Sequence, residues 1–321
     1  MIKLREITVG KNDASQRLDK LMGKLFKTMP KSLIYKYIRT KHIRINGKRI
    51  TENCIVMQGD VLSFYIPDEF FADESKPTFM SARPDVNVVY EDENILIADK
   101  PSGVLVHSDK SEDVDTLINR ILAYLYQSGE YDPSKENSFA PALCNRIDRN
   151  TCGLVIAAKN ADALREMNKI IKDRAIEKYY LAAVHGKMPQ SNGRISGYIQ
   201  KDSASNTVSV KSSKTSSDDK TAITEYSVVT YDAKAELSLL EVRLITGRTH
   251  QIRAHMASIG HPLLGDGKYA INATDRKKGF KHQALCSYCL KFTLNGYDGV
   301  LKYLKGKELY ASEPYFMRLF K

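Results

Sequence analysis

The sequence predicts an α+β protein: a small N-terminal α/β domain followed by a larger domain on a mixed, mainly antiparallel sheet. Three observations carry this expectation. Two short helical stripes, a hairpin and a strand fill the first part of the chain. A Pro-bearing stretch then breaks the texture. Beyond it, strand-like runs outnumber helices and succeed one another through loops, whereas a doubly wound sheet would alternate the two.

The elements follow in order. Ser15 is placed to cap a first helix, whose apolar stripe is Leu18, Leu21, Met22, Leu25 and Phe26. Lys31 to Arg39 fits a second helix. Ile43 to Ile50 alternates around Asn46-Gly47, two residues that tolerate positive φ, and so reads as a hairpin. Val61 to Ile66 is a strand stopped by Pro67. Asp68 to Pro84 reads as a linker, which divides the chain into domains 1–80 and 81–321. In the second domain, Val86–Tyr90 and Ile95–Asp99 are strand-like, Leu117 to Leu125 marks a helix, and Leu154–Ala158 is a short apolar strand. Asn160 can cap a helix bearing Leu164, Met167 and Ile171. Tyr180, Ala182 and Val184 alternate as a strand, and Tyr226–Val229 and Leu237–Leu244 are two more. Ile252, Met256 and Ile259 place a helix after Thr249, ended by Gly260. The Ser- and Lys-rich segment Lys201–Lys220 reads as an exposed, mobile loop.

Composition narrows the function classes. A net charge of +11 and a pI near 9.2 point to a polyanionic partner, most often nucleic acid. Lys36, Arg39, Lys41, Arg44, Lys48 and Arg49 place six cations in fourteen positions without an acid, the pattern of a phosphate-contacting surface. Cys54, Cys144, Cys152, Cys286 and Cys289 are odd in number and scattered, which speaks for a reducing compartment. The N-terminus has no signal-peptide pattern, and no apolar run nears the roughly 18 residues of a membrane span. A cytoplasmic protein without a membrane partner is expected. His282, Cys286 and Cys289 have zinc-like spacing, but no fourth ligand accompanies them and Gln283–Phe292 alternates as a buried strand. His250, His255 and His261, five and six apart, do not share a helical face. No metal site is expected. The glycines form neither a Walker loop nor a dinucleotide fingerprint.

Five polar, Gly- or Pro-bearing clusters interrupt the apolar pattern: Lys100–His107, Asn145–Leu154, Lys178–Gly186, Thr246–Arg253 and His261–Asp266. In the second, Asp148 lies close to Arg146 and Arg149 just before a strand. A carboxylate among fixed cations stays ionised, as a nucleophile or base must. A single Asp so placed is also what an ordinary salt-bridged turn looks like.

The whole string decides between them. Asn145-Arg146-Ile147-Asp148 with Thr151-Cys152-Gly153 resembles the catalytic loop of the RluA-type pseudouridine synthases. That loop usually reads His-Arg-Leu-Asp, two variable positions, Thr-Ser-Gly; this chain departs from it at Asn145, Ile147 and Cys152. The other four clusters resemble the same family's motifs in the same order. Arg17-Leu18-Asp19-Lys20 followed by Ile43 to Lys48 resembles the small RNA-binding domain first seen in a small-subunit ribosomal protein. The resemblance spans roughly Ser15 to Lys321.

It implies that Asp148 is the catalytic carboxylate, that Arg248 ion-pairs with it and keeps it deprotonated, and that Tyr180 stacks on the target base and assists proton removal. Arg146 fills the gap left by the flipped uridine. Lys36, Arg39, Arg44 and Lys48 contact RNA. His107, Gln251 and Arg253 surround the site without being catalytic. The reaction breaks the bond from base nitrogen to ribose, turns the base and rejoins it through a ring carbon. It is redox-neutral, so no cofactor is expected. Large-subunit (23S) ribosomal RNA is the expected substrate, transfer RNA the alternative, and the protein is expected to be a monomer.

Two other readings compete. A non-catalytic RNA-binding protein on this scaffold would have lost the carboxylate, yet Asp148, Tyr180 and Arg248 are all present. An N-glycosidase would need a second carboxylate beside Asp148, and none stands nearby in sequence.

Overall fold

The computed structural model describes residues 2–51, 53–71, 77–108, 114–202 and 207–321. The first part runs β1 (Ile2–Thr8), β2 (Gln16–Arg17), α1 (Leu18–Leu25), α2 (Lys31–Arg39), β3 (Ile43–Ile45), β4 (Lys48–Arg49), β5 (Ile55–Val56) and β6 (Val61–Pro67). Its main sheet has the order β1-β6-β3-β4. The apolar stripes of α1 and α2 pack on it, with Leu18, Leu21, Met22, Phe26, Ile34 and Ile38 buried together with Ile43, Leu62, Phe64 and Ile66. The hairpin turns at Asn46 (φ 51°) and Gly47 (φ 73°), the positive-φ pair that a two-residue turn needs.

One local expectation fails, and one strand goes unannounced by the sequence. Ser15 does not cap α1; it sits at φ 58°, and the helix begins after an extended Arg17 with no side-chain cap. Asp19 in the first turn, bonded by Arg17 and Tyr35, supplies the negative charge that a helix N-terminus favours. The strand β1 has no apolar run to announce it, because it is a sheet edge with Leu4 half exposed.

The second part runs β7 (Val88–Glu91), β8 (Ile95–Lys100), α3 (Leu117–Gln127), β9 (Ala142–Leu143), β10 (Cys152–Ala158), α4 (Ala161–Lys172), β11 (Ile176–His185), β12 (Asn192–Asp202), β13 (Thr207–Lys211), β14 (Lys220–Asp232), β15 (Leu237–Leu244), α5 (Gln251–Ser258), α6 (Ala273–Lys277), β16 (Leu285–Phe292) and β17 (Glu308–Tyr310). One sheet orders these strands β13-β12-β14-β15-β11-β16-β10-β8-β7, with β17 on β16 and β9 on β10. All pairings are antiparallel except the short β10–β16 contact, Cys152 with Cys286 and Gly153 with Ser287. The protein is therefore α+β with a mainly antiparallel sheet.

Side chains alternate across this sheet. Ile95, Ile97, Leu154, Ile156, Leu181 and Leu239 join the core that holds Met167 and Ile170 of α4. Leu96, Ala98, Val155 and Ala157 pack with Ile121 and Leu125 of α3. Tyr180, Ala182, Leu240 and Val242 pack with Ile252 and Met256 of α5. That last face is where the candidate site lies.

The segment Lys201–Lys220 is not the loop that its composition suggests. Thr207–Lys211 pairs with β12, and Val208 is buried against Ile199, Ala222 and Ala254. Asp219 is buried and accepts from the backbone of Thr215 and Ser216 and from Lys211, so the polar residues hold a defined turn. Residues 203–206 lie outside the described residues. The expected linker is also partly built in. Phe79 is buried against Tyr126 and Tyr131 of the second part, while residues 72–76 lie outside the description. The two parts also meet through the turn at Lys11–Asp13. Asn12 donates to Glu136 (2.7 Å) and accepts from the Ala161 amide (3.1 Å), and Asp13 accepts from Asn137 and Ser138. No described helix is long and apolar enough to cross a membrane.

Candidate active site

The loop that carries Asp148 is held from below by a buried cation. Lys100, at the end of β8, is fully buried and its Nζ donates to the carbonyls of Pro101 (2.9 Å), Val104 (2.9 Å) and Arg149 (2.8 Å). Burial pushes its pKa down to about 8, against the opposing pull of Cys152, Asp148 and Asp99. Ser102 Oγ donates to the Asn150 carbonyl (2.8 Å), and the Arg149 carbonyl also receives the Gly103 amide (3.0 Å). The Lys-Pro-Ser-Gly stretch and the Asp148 loop thus lock as one unit.

The departures from the family string find local explanations. Asn145 Oδ1 accepts from the Ile156 amide (2.8 Å) and fixes the entrance of the loop onto β10. The Cys152 thiol points at the Leu285 carbonyl (3.6 Å) where β10 meets β16. Gly153 is required at that junction: it has φ 106°, and a Cβ there would overlap the Ser287 carbonyl oxygen and lie 2.7 Å from the Ser287 nitrogen.

Asp148 is a quarter exposed, open to a ligand on one side, and anchored on the other. Its Oδ2 accepts from Arg253 Nη1 at 2.9 Å, and His250 Nε2 stands 3.8 Å away. Arg253 is almost fully buried. Its Nε and Nη2 are clasped by Asp266 at 2.7 and 2.8 Å, and its guanidinium lies 5.2 Å from the Tyr269 ring centre. Burial alone would lower the pKa of Arg253, but the two carboxylates outweigh it and keep the guanidinium charged. Asp266 is held ionised below its usual range: burial opposes this, and Arg253 with the Lys268 and Tyr269 amides overcomes it. Tyr269 also bonds His250 Nδ1 through its hydroxyl at 2.9 Å. Burial drives the His250 pKa below the ordinary histidine value, although Asp148 pulls it up.

This corrects the expected pairing. Arg248 is exposed and does not meet Asp148; its Nε donates to the Thr221 carbonyl at 3.1 Å. The geometry of the turn is the reason. Arg248 precedes the helix on an outward turn, His250 takes a left-handed conformation (φ 52°), and α5 starts at Gln251. Gln251 to Met256 are all buried, so the Arg that enters the site is the one in the first turn of that helix. A cation inside so buried a helix has to be paired, and that burial is visible only in the fold. Gln251 fixes the turn: its Oε1 accepts from Thr246 Oγ1 (2.8 Å) and the Arg248 amide (3.1 Å), and its Nε2 donates to Ile223 and Thr224.

Tyr180 is buried on β11, with its hydroxyl bonded to Ser287. A register shift between Tyr179 and Tyr180 sets Tyr179 opposite Cys289 and Tyr180 opposite Ser287. Burial pushes its phenol up to about 12, offset in part by Ser287 and reinforced by the charge of Asp148. The phenol is therefore protonated at neutral pH. It serves better as an aromatic wall than as a base. Ile147, Ile252 and Leu285 share its apolar cluster. Arg146 is exposed beside the site, and its charge, after burial, lowers the pKa of His107.

The other predicted positions lie on the first part of the chain. Lys36, Arg39 and Lys48 are exposed, on α2 and β4. Arg44 is half buried, its guanidinium 5.3 Å from the Tyr65 ring centre. Among the described residues no three of His, Cys, Asp or Glu converge as metal ligands. Two open depressions of about 460 and 480 Å³ lie elsewhere, one lined by Arg17, Tyr35 and Arg39, the other by Lys169, Asp173 and Tyr297.

Known proteins share this arrangement of elements and sequence. The profile of the RNA pseudouridylate synthase family matches residues 94–258, which include Asp148, Tyr180 and Arg253. An uncharacterized RNA pseudouridine synthase of Mycoplasma genitalium is 33% identical over 288 residues, 88% of each chain. The ribosomal large subunit pseudouridine synthase C of Buchnera aphidicola (subspecies Baizongia pistaciae) is 32% identical over 273 residues, 84% of this chain and 82% of that one. The solved structure of human RNA pseudouridylate synthase domain containing 1 superposes with a TM-score of 0.57 at 23% identity, covering 77% of this chain and 89% of the other; it shares the fold. With a matched profile across half its length and relatives of this similarity across most of it, the chain belongs to the RNA pseudouridine synthase family of isomerases.

Proposed function

We propose that Asp148 is the carboxylate that acts on the ribose of a flipped uridine, and that Arg253, not Arg248, is the cation that pairs with it and orients it. One observation carries this reading: a partly exposed carboxylate bonded at 2.9 Å to a buried guanidinium that is itself clasped by Asp266. Attack on the ribose carbon and removal of a ribose proton both need a carboxylate oxygen within reach of the ribose, and Arg253 pairs with Asp148 without blocking the open side. The bond from C1′ to N1 breaks, the base turns, C5 bonds to C1′, and the C5 proton leaves while N1 gains one. No electrons are exchanged, so the chemistry asks for no cofactor. Tyr180 offers a face for the base, and Arg146 is placed to fill the stack that the base vacates. Extraction of the base costs a few kcal/mol, to be met by contacts elsewhere on the RNA.

Residues 1–80 are proposed as the RNA-binding domain and 81–321 as the catalytic domain. Lys36, Arg39, Arg44 and Lys48 contact the backbone. The substrate proposed is large-subunit (23S) ribosomal RNA, supported by the name of the Buchnera relative, a ribosomal large subunit pseudouridine synthase. The test uses RNA tritiated at uridine C5 from cells lacking the gene. The wild-type chain should release tritium, and Asp148→Asn should bind the RNA and release none. Near-normal release by Asp148→Asn overturns the assignment. Pseudouridines that map to transfer RNA alone overturn the substrate.

A further inference from the structure

A short basic excursion is fastened to the loop that carries Asp266. Arg276, Lys277, Lys278 and Lys281 lie within six positions and all are exposed. Asp275, just before them, and Phe280, among them, are buried. Asp275 Oδ2 accepts from the Gly265 amide (2.8 Å) and bonds His185 Nε2 (2.9 Å). Gly265 precedes Asp266, the residue that clasps Arg253. Asn272 adds a bond to the Gly265 carbonyl (3.2 Å). On the other flank Phe280 stacks with Tyr315 and lies 5.9 Å beneath the guanidinium of Arg318, a fifth exposed cation. Among the described residues none of these five is paired with a carboxylate, while neighbouring Glu313 is engaged by Lys321.

The anchoring matters more than the charge count. A buried acid spends its hydrogen bonds on the loop that carries Asp266, so the cations are held at a fixed place relative to Asp148 rather than scattered on a free surface. We propose that the stretch from Arg276 to Lys281, with Arg318, is a second phosphate-contacting surface. It would grip the RNA strand that flanks the target uridine, independently of the cations on α2 and β4. The occupant fits because a polyanionic strand is the one partner that this family must hold beside the site, and fixed, unpaired cations are what binds it with counterion release. This inference rests on the reading of the chain as an enzyme acting on RNA at Asp148.

The test compares wild type with the quadruple variant Arg276→Gln/Lys277→Gln/Lys278→Gln/Lys281→Gln in the full chain, after a thermal melt has shown equal folding. Fluorescence anisotropy is read on a fluorescein-labelled 30-nucleotide oligouridine and a 4-nucleotide one, across a salt series. If each cation neutralises one phosphate, the slope of log affinity against log salt on the long strand falls by about 3 for four contacts at ~0.7 each. Affinity should drop at least tenfold at low salt, with the 4-mer unchanged. In the tritium assay KM should rise while kcat holds. Unchanged affinity and slope on the 30-mer overturn the inference, as does equal weakening on the 4-mer. A wild-type chain that binds the 30-mer through these residues but releases no tritium leaves the surface standing and removes the proposed chemistry instead.

Discussion

The sharpest prediction concerns which arginine serves Asp148. Arg253 makes three bonds to two carboxylates: two to Asp266, at 2.7 and 2.8 Å, and one to Asp148, at 2.9 Å. Its rigid fork is what spans them. Lysine keeps the charge but concentrates its donors on one nitrogen, which cannot lie in the plane of Asp266 and reach Asp148 as well. In Arg253→Lys the amine should settle on Asp266, the more buried partner, and leave Asp148 without its charge-assisted bond. Such a bond is worth about 1.5–3 kcal/mol. If it is fully lost in the transition state, kcat falls by roughly ten- to a hundred-fold at 1.36 kcal/mol per factor of ten. Arg248, exposed and bonded to a backbone carbonyl, predicts otherwise. Arg248→Lys should stay within about ±0.5 kcal/mol, a change of roughly two-fold at most. Single-turnover tritium release from labelled RNA measures both. Thermal melts separate a lost fold from a lost pair. Comparable losses in the two variants, or a near-normal Arg253→Lys, would refute the reasoning.

Further outcomes follow from the same geometry. Gly153→Ala forces a Cβ into the Ser287 backbone at a φ of 106°, and should cost about 2 kcal/mol or more, read as a lowered urea midpoint. His255 is fully buried and burial lowers its pKa from 6.5 to about 4. The unfolded chain takes up that proton first, so stability present above pH 6.5 is lost as pH falls from 6.5 to 4, by at most about 3 kcal/mol. The same pH series on His255→Gln should lack that component, and identical slopes would exclude it. Truncation before Pro77 should leave a cooperatively melting catalytic part, whereas truncation after residue 80 removes Phe79 from the core around Tyr126 and Tyr131 and should lower the melting temperature further.

Much was decided in the chain itself. The stripes of α1 and α2, the Asn46-Gly47 turn, the Asn160 cap and the strand-like run Leu237–Leu244 are local signals, and each became the element it announced. The string around Asp148 was legible for the same reason, because a motif is local. The charge on β1 concealed a strand, since an edge needs no second apolar face. The Ser- and Lys-rich segment concealed another, anchored by the buried Val208. The partner of Asp148 lay beyond reach of such signals. Asp148 and Arg253 are 105 positions apart, and two arginines of the same motif were equally available to a reader of letters. Strand order brings β10 and β11 together through β16, and the left-handed turn at His250 rotates the start of α5 so that Arg253 enters and Arg248 leaves. Residue type limited what chemistry was possible; only packing, through the direction in which one helix begins, decided which arginine meets Asp148.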